Sequence, residues 1–190
     1  EAIETEIEQR PIVEEINLDR LTDEATELIR QGEPKKALAL LKPHLKTIGA
    51  QHAGAWRIAG GAMARMELDT HAIAALEHAT KLDETVASGW YNLGSLYARN
   101  GNDAGAKEAF ETTIELDKRH VKARRKLIEY AKKENDLGVV ISHGMTLLEG
   151  QDDSELRDEI VQMLLECGET EIEVLEYITG IPPTMPEAPQ

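Results

Sequence analysis

Apolar residues along 87–120 recur with a helical period, break, and then recur again. Trp90, Leu93, Gly94 and Tyr97 fall at i, i+3, i+4 and i+7, one face of a 3.6-residue period. Asn100-Gly101-Asn102 ends that run, because Gly enters the left-handed turn conformation with no Cβ penalty. Asp103 then stands where a carboxylate caps the next helix. Ala106, Ala109, Phe110 and Thr113 repeat the spacing. Gly94 and Ala106 are small, so the two helices are expected to cross closely. Moved back by 34 residues, the pattern places Trp56, Gly60, Ala72, Leu76, Ala79 and Asp83 under Trp90, Gly94, Ala106, Phe110, Thr113 and Asp117. A self-similarity of that length is the signature of a helical repeat array.

The remaining units follow the same rhythm with weaker residue identity. In 18–52, Leu21, Ala25 and Leu28 mark a first helix, Gln31-Gly32-Glu33 a turn, and Ala37, Leu38 and Leu41 a second helix. Pro34 is tolerated in a first turn, whereas Pro43 is expected to shorten or kink that second helix. In 53–86 the first helix holds Gly54, Gly60 and Gly61, and a helix-interior Gly costs about 1 kcal/mol against Ala. Close packing at Gly60 is expected to offset this, with Gly61 leaving a hollow on the exposed face. In 121–153, Leu127, Ala131 and Asn135 hold their slots but Arg124 stands where the tryptophans stand; Val139, Val140, Met145 and Leu148 mark the second helix. In 154–181, Leu156, Ile160 and Leu164 precede a helix-ending Gly168, and Ile172, Leu175, Tyr177 and Ile178 suit a short closing helix. Residues 1–17 carry six Glu against one Arg and read as a solvated acidic arm. Residues 182–190 hold four prolines and read as an extended tail. The fold class expected is all-α, an α-solenoid of about five antiparallel helix pairs.

Composition narrows the picture further. Aromatic residues make up 4% of the 190 residues and apolar ones 41%, so the core must be built from Ala, Leu and Ile. A net charge of −15 opposes nonspecific binding to nucleic acid or an anionic membrane. Cys167 is the single cysteine, which excludes an intrachain disulfide and suits a reducing, cytoplasmic setting. It reads as a small apolar residue rather than a nucleophile. No apolar run approaches the roughly 18 residues needed to span a bilayer. The sequence begins at Glu1, so any upstream targeting segment or anchor lies outside it. His44, His52, His71, His78, His120 and His143 show no metal-ligand spacing, and no GxSxG, P-loop or GxGxxG motif is present. The expectation is a non-enzymatic protein with neither cofactor nor metal.

The third unit resembles the tetratricopeptide repeat (TPR) family. It carries Trp90-x2-Leu93-Gly94-x2-Tyr97 and Ala106-x3-Phe110, with Lys118 where the family usually has Pro and Thr113 where Ala is common. The second unit keeps Trp56, Gly60, Ala72 and Ala79, with Ala59 for Leu and Met63 for Tyr; the first keeps Ala25, Leu28, Gly32, Ala37 and Leu41. The resemblance implies a right-handed superhelix whose concave face is lined by the first helix of each pair. Such a face takes an extended peptide or a partner helix.

Charge adds a candidate site. Residues 118–133 hold eight Lys and Arg against Glu129, in a protein that is otherwise strongly acidic. On a helical wheel Lys122, Arg125, Lys126 and Lys133 share one face, and Ala123, Leu127, Tyr130 and Ala131 the other. Like charges at i,i+4 repel unless a counter-charge is supplied. The family geometry implies that Lys122, Arg125 and Lys126 face the groove, with Tyr91, Asn92 and Arg99 from the third unit and Arg57 from the second. These seven residues are the expected peptide-binding groove, for a protein segment bearing acidic residues or a terminal carboxylate. Resemblance to TPR domains that hold a C-terminal carboxylate singles out Arg57, Asn92, Lys122 and Lys126, although Gly61 stands where those domains have Asn. The acidic arm is itself a candidate occupant. The functional expectation is an adaptor or scaffold; a secretion- or assembly-type chaperone and a self-associating assembly module remain open beside it. The sequence does not fix the oligomeric state.

Overall fold

The computed structural model describes residues 16–148 and 154–166. They form α1 (Leu18–Arg30), α2 (Pro34–Leu41), α3 (Ala53–Arg65), α4 (Asp69–Leu82), α5 (Ala87–Arg99), α6 (Asp103–Leu116), α7 (Val121–Glu134), α8 (Leu137–Leu148) and α9 (Ser154–Glu166). There is no strand among the described residues. Successive helices pack as pairs, and first helices also touch each other, α1 with α3 and α3 with α5. The result is an α-solenoid with its first helices along one side. Its core is divided into local clusters, one for each unit junction, dominated by Ala and Leu. Most of the acidic arm, Cys167, Gly168, the closing helix expected around Ile172–Ile178 and the Pro-rich tail lie outside the described residues.

Small side chains set the helix spacing. A Cβ on Gly60 would lie 2.8 Å from Leu76 Cγ, and one on Gly94 2.9 Å from Phe110 Cε1 and 3.2 Å from the Ala106 carbonyl oxygen. In the first unit Ala25 and Leu41 hold these two positions, both essentially fully buried. In the fourth unit the sizes are exchanged: Ile128 stands on the first helix and Gly144 on the second. Gly144 then leaves room for Ile160 of α9, whose Cγ2 lies 3.0 Å from where a Cβ would sit.

The first helices α1, α3, α5 and α7 each end on a left-handed residue at the same repeat position. Gly32, Glu67, Gly101 and Asn135 have φ of 80°, 60°, 76° and 54°. Gly meets this demand without strain and Asn with little. Glu67 meets it against a Cβ penalty. The cap of α6 corrects the sequence expectation: Asn102, not Asp103, accepts the Gly105 N–H at 3.1 Å. Asp103 sits one residue too late, in the first turn, and accepts the Tyr130 hydroxyl instead. Pro43 acts as expected. The helix α2 stops after 8 residues, whereas α4 and α6 run 14, and the chain passes through turns from Lys42 to Gln51 before α3.

The tryptophan slot explains why the fourth unit tolerates an arginine. Trp90 Nε1 donates to the Glu84 carbonyl, six residues back, at 2.9 Å. Arg124 reaches the carbonyl six residues before it, Lys118, through Nε at 3.0 Å and Nη2 at 2.7 Å. The guanidinium thus replaces the indole N–H, and one of the eight basic charges of 118–133 is buried rather than offered to a ligand. Its Nη1 donates to His143 Nδ1 at 3.0 Å. Burial, and then the Arg124 charge, lower the His143 pKa. In the second unit the carbonyl six residues before Trp56 belongs to Ala50 and is taken by His78 Nε2 at 3.1 Å. Trp56 Nε1 is buried with no hydrogen-bond partner, and its ring meets His78 edge-on at 4.8 Å.

Three stability outcomes follow. Gly94→Leu should destabilise by about 1–3 kcal/mol or more through overpacking, read as a lower urea midpoint by circular dichroism. Glu67→Gly should stabilise by about 1 kcal/mol, the larger part of the left-handed penalty, reduced by the entropy Gly loses. The third outcome depends on pH. The folded-state pKa of His143 lies below its unfolded value of 6.5, so the folded chain resists a proton that the unfolded chain accepts. Stability is fully present above that unfolded value and falls as pH drops below it. Between about pH 7.5 and about pH 5.5 the urea midpoint should fall less in His143→Gln than in wild type.

Candidate functional site

The middle first helix, α3, presents Arg57, Ile58, Gly61, Ala64 and Arg65 on one face, at i, i+1, i+4, i+7 and i+8. Thr26 and Ile29 of α1 flank it on one side and Asn92, Ser95, Leu96 and Arg99 of α5 on the other. Together they line a cavity of about 380 Å³. The lining combines an aliphatic surface, three guanidiniums and one carboxamide, and contains no carboxylate. Gly61 opens into it: a Cβ there would meet nothing within 4 Å, which is the hollow expected from the sequence.

The three arginines are held in different ways. Arg65 Nη1 donates to the Ile29 carbonyl at 3.0 Å, and Arg99 Nη2 to the Ala64 carbonyl at 3.2 Å. Ile29 and Ala64 lie near the ends of α1 and α3, where carbonyls lack intrahelical partners and the helix dipole is negative. Each arginine therefore ties its unit to the one before. Arg99 is further fixed by a two-pronged contact with Asp69, Nε meeting Oδ2 at 2.7 Å and Nη2 meeting Oδ1. Arg57 lies near Asp83, whose pKa is lowered first by hydrogen bonds from the Thr85 hydroxyl and amide and then by the Arg57 charge. A guanidinium has five N–H donors, so these contacts leave donors for a ligand.

Of the seven residues proposed from sequence, the cavity gathers Arg57, Asn92 and Arg99. Tyr91 is half-buried in the seam between units three and four, its ring 5.7 Å from Phe110 and 4.7 Å from His120. His120 in turn caps α7 by accepting the Ala123 N–H at 3.1 Å. Lys122, Arg125 and Lys126 lie on α7 and do not line the cavity. Lys126 pairs with Glu129 at 2.7 Å, its neighbour Lys132 with Glu166 at 2.5 Å, and Lys133 sits 5.3 Å from the Tyr130 ring centre. The counter-charges that a like-charged stripe requires are thus partly internal. The seven-residue set omits Thr26, Ile29 and Arg65. Arg65 was visible as the repeat equivalent of Arg99, whereas Thr26 and Ile29 needed the packing of α1 on α3.

Comparison with known proteins agrees with this fold. A family profile for the tetratricopeptide repeat matches residues 87–120. No curated protein sequence matches the chain. Among solved structures, the chain is similar to YrrB, described as a TPR protein with an unusual peptide-binding site, with 20% identity, a TM-score of 0.66, and coverage of 84% of each chain. It is similar to MamA, with 23% identity and a TM-score of 0.58 over 87% of this chain and 82% of that one. It is also similar to TTC0263, a thermophilic TPR protein of Thermus thermophilus, with 19% identity and a TM-score of 0.62 over 78% of this chain and 82% of that one. The third unit thus matches the tetratricopeptide repeat, and the array shares the fold of these solved structures.

Proposed function

We propose that this protein is a non-enzymatic adaptor that binds a peptide segment in the cavity between α1, α3 and α5. The segment supplies a carboxylate to the guanidiniums and one apolar side chain to the hollow at Gly61. The observation that carries this reading is a carboxylate-free, arginine-lined cavity in a protein of net charge −15. An anion is repelled by most of the surface and is received here. Asn92 adds a neutral donor that holds orientation without adding charge. The peptide-binding site named for YrrB supports the same class of ligand. Exposed ion pairs are worth under about 1 kcal/mol each. Charge-assisted hydrogen bonds inside a concave site are roughly twice as strong as neutral ones. A few of these with one buried side chain suffice for micromolar affinity, about 8 kcal/mol. The basic face of α7, with Lys122, Arg125 and Lys126, extends the same groove for a longer ligand.

The test is peptide display against the folded protein, followed by fluorescence anisotropy on the selected sequences. The selected peptides should be acidic and bind with a Kd of about 1–10 µM. Affinity should weaken as salt rises from about 0.1 M to about 1 M, where the Debye length falls from about 10 Å to about 3 Å. Arg57→Glu should weaken binding by at least about tenfold, and Gly61→Leu should do likewise by filling the hollow. Lys122→Glu with Lys126→Glu should reduce affinity only for peptides long enough to reach α7. Amidating the terminus should matter only for peptides that bind by a terminal carboxylate. Selected peptides without carboxylates, or binding unchanged in Arg57→Glu, would remove the proposal.

A further inference from the structure

A second groove lies on the opposite side of the array, between the second helices of the first two units. Its volume is about 880 Å³, and its walls include Leu38, Leu45 and Lys46 on one side and Leu68, Ala74 and Ala75 on the other. Trp56 and Met63 of α3 also line it. The equivalent groove one unit further along, over α5, is about 300 Å³. The two can be compared residue by residue. Trp56 and Trp90 hold the same repeat position, as do Ala75 and Ala109, and Lys46 and Lys81.

Three of the differences remove a strap or an acidic group. In the further groove Tyr97 donates its hydroxyl to Glu77 Oε1 at 2.6 Å, a strap between α5 and α4. Burial and that carboxylate hold the Tyr97 pKa up at about 12, so the strap keeps its proton. In the nearer groove Met63 replaces the tyrosine and Lys42 replaces the glutamate, so no strap forms. Glu108, the other carboxylate of the further wall, is replaced by the exposed Ala74. Both acidic groups are therefore gone, Lys42 and Lys46 are present, and the walls between them are aliphatic. No ion pair engages either lysine among the described residues. Pro43 contributes by ending α2 early and replacing its last turns with the 42–51 segment that forms one wall.

We propose that this groove docks an amphipathic acidic helix of a partner protein. Its aliphatic face would cover Leu38, Leu45, Met63 and Leu68, and its carboxylates would meet Lys42 and Lys46. Helix-in-groove recognition of this kind reads apolar anchors at i, i+3, i+4 and i+7. Charge complementarity selects an acidic helix over a basic one. On the mostly acidic surface of a −15 protein an acidic helix is met here by two lysines. The site is independent of the concave cavity.

The experiment uses a fluorescein-labelled synthetic helix with Leu at i, i+3, i+4 and i+7 and Glu on the flanking positions, beside a twin with Lys for each Glu. The Glu helix should bind the full chain at least about tenfold tighter than its twin. Ala74→Glu places a carboxylate on an exposed wall position and should weaken binding by about tenfold. Lys42→Glu with Met63→Tyr rebuilds the strap and should abolish it, with the helical content of both variants unchanged. Arg57→Glu should leave binding intact. Equal binding of both helices, or an Ala74→Glu variant that binds like wild type, would overturn the proposal. Loss on Arg57→Glu would overturn it by placing the probe in the concave cavity. A concentration-dependent dimer that Ala74→Glu dissociates would give the groove to a second copy. Tighter probe binding after deletion of residues 1–17 would give it to the chain's own acidic segment.

Discussion

The close crossing within each helix pair is the contact on which the rest of the array depends. In four successive units a residue of the first helix faces one sixteen positions later on the second, as Ala25 and Leu41, Gly60 and Leu76, Gly94 and Phe110, and Ile128 and Gly144. In the second and third pairs the first helix supplies no side chain at all, and the partner's ring or isobutyl group rests on its backbone. The spacing this imposes is too short for a single added methyl group. It fixes which residues are free to face outward. With Gly60 turned into the pair, the next residue, Gly61, is turned to the concave side, together with Arg57, Ile58, Ala64 and Arg65. The composition of the ligand cavity is therefore set by the packing of the helix that carries it.

This dependence separates what the sequence discloses from what it does not. The pair, its turn and its crossing are local, and each has a residue whose chemistry admits few alternatives. Gly101 and Gly32 lie in left-handed turns, Pro43 ends α2, and Gly60 and Gly94 sit under large side chains. The candidate cavity is not local. It joins three helices from three units, and Thr26 and Ile29 enter it only through the contact of α1 with α3. The basic stripe on α7 is legible as a pattern, yet its pairing with Glu129 and Glu166 depends on rotamers and on α9. Arg124 lay between these extremes. Its position in the tryptophan slot was visible, but its role needs the Lys118 carbonyl to be in reach, a property of the turn between units.

Polar contacts between units show where the array is fastened and where it is open. Tyr97 reaches Glu77, Tyr130 reaches Asp103, and Lys107 reaches Glu134, each crossing from one unit to its neighbour. Arg65 and Arg99 fasten the concave side by ending the helices before them. The first junction is held differently. His52 Nε2 meets Asp19 Oδ1 at 3.0 Å while His52 Nδ1 caps α3, and His78 holds the Ala50 carbonyl. Both histidines act through short polar contacts near one end of the junction, and neither spans the groove beside Met63.

The unpartnered indole of Trp56 belongs to the same local arrangement. A buried N–H left without an acceptor costs about 1–3 kcal/mol, and the acceptor used by Trp90 and Arg124 is here occupied by His78. Restoring the bond would require the Ala50 carbonyl to exchange His78 for the indole N–H. Shortening α2 at Pro43 thus has linked consequences: an irregular wall, and apolar surface left open between α2 and α4. Repeat arrays add stability unit by unit through their neighbours, and the first junction keeps its own buried cluster, with Leu41, Leu45, Ala55 and Ala59, beside the open groove.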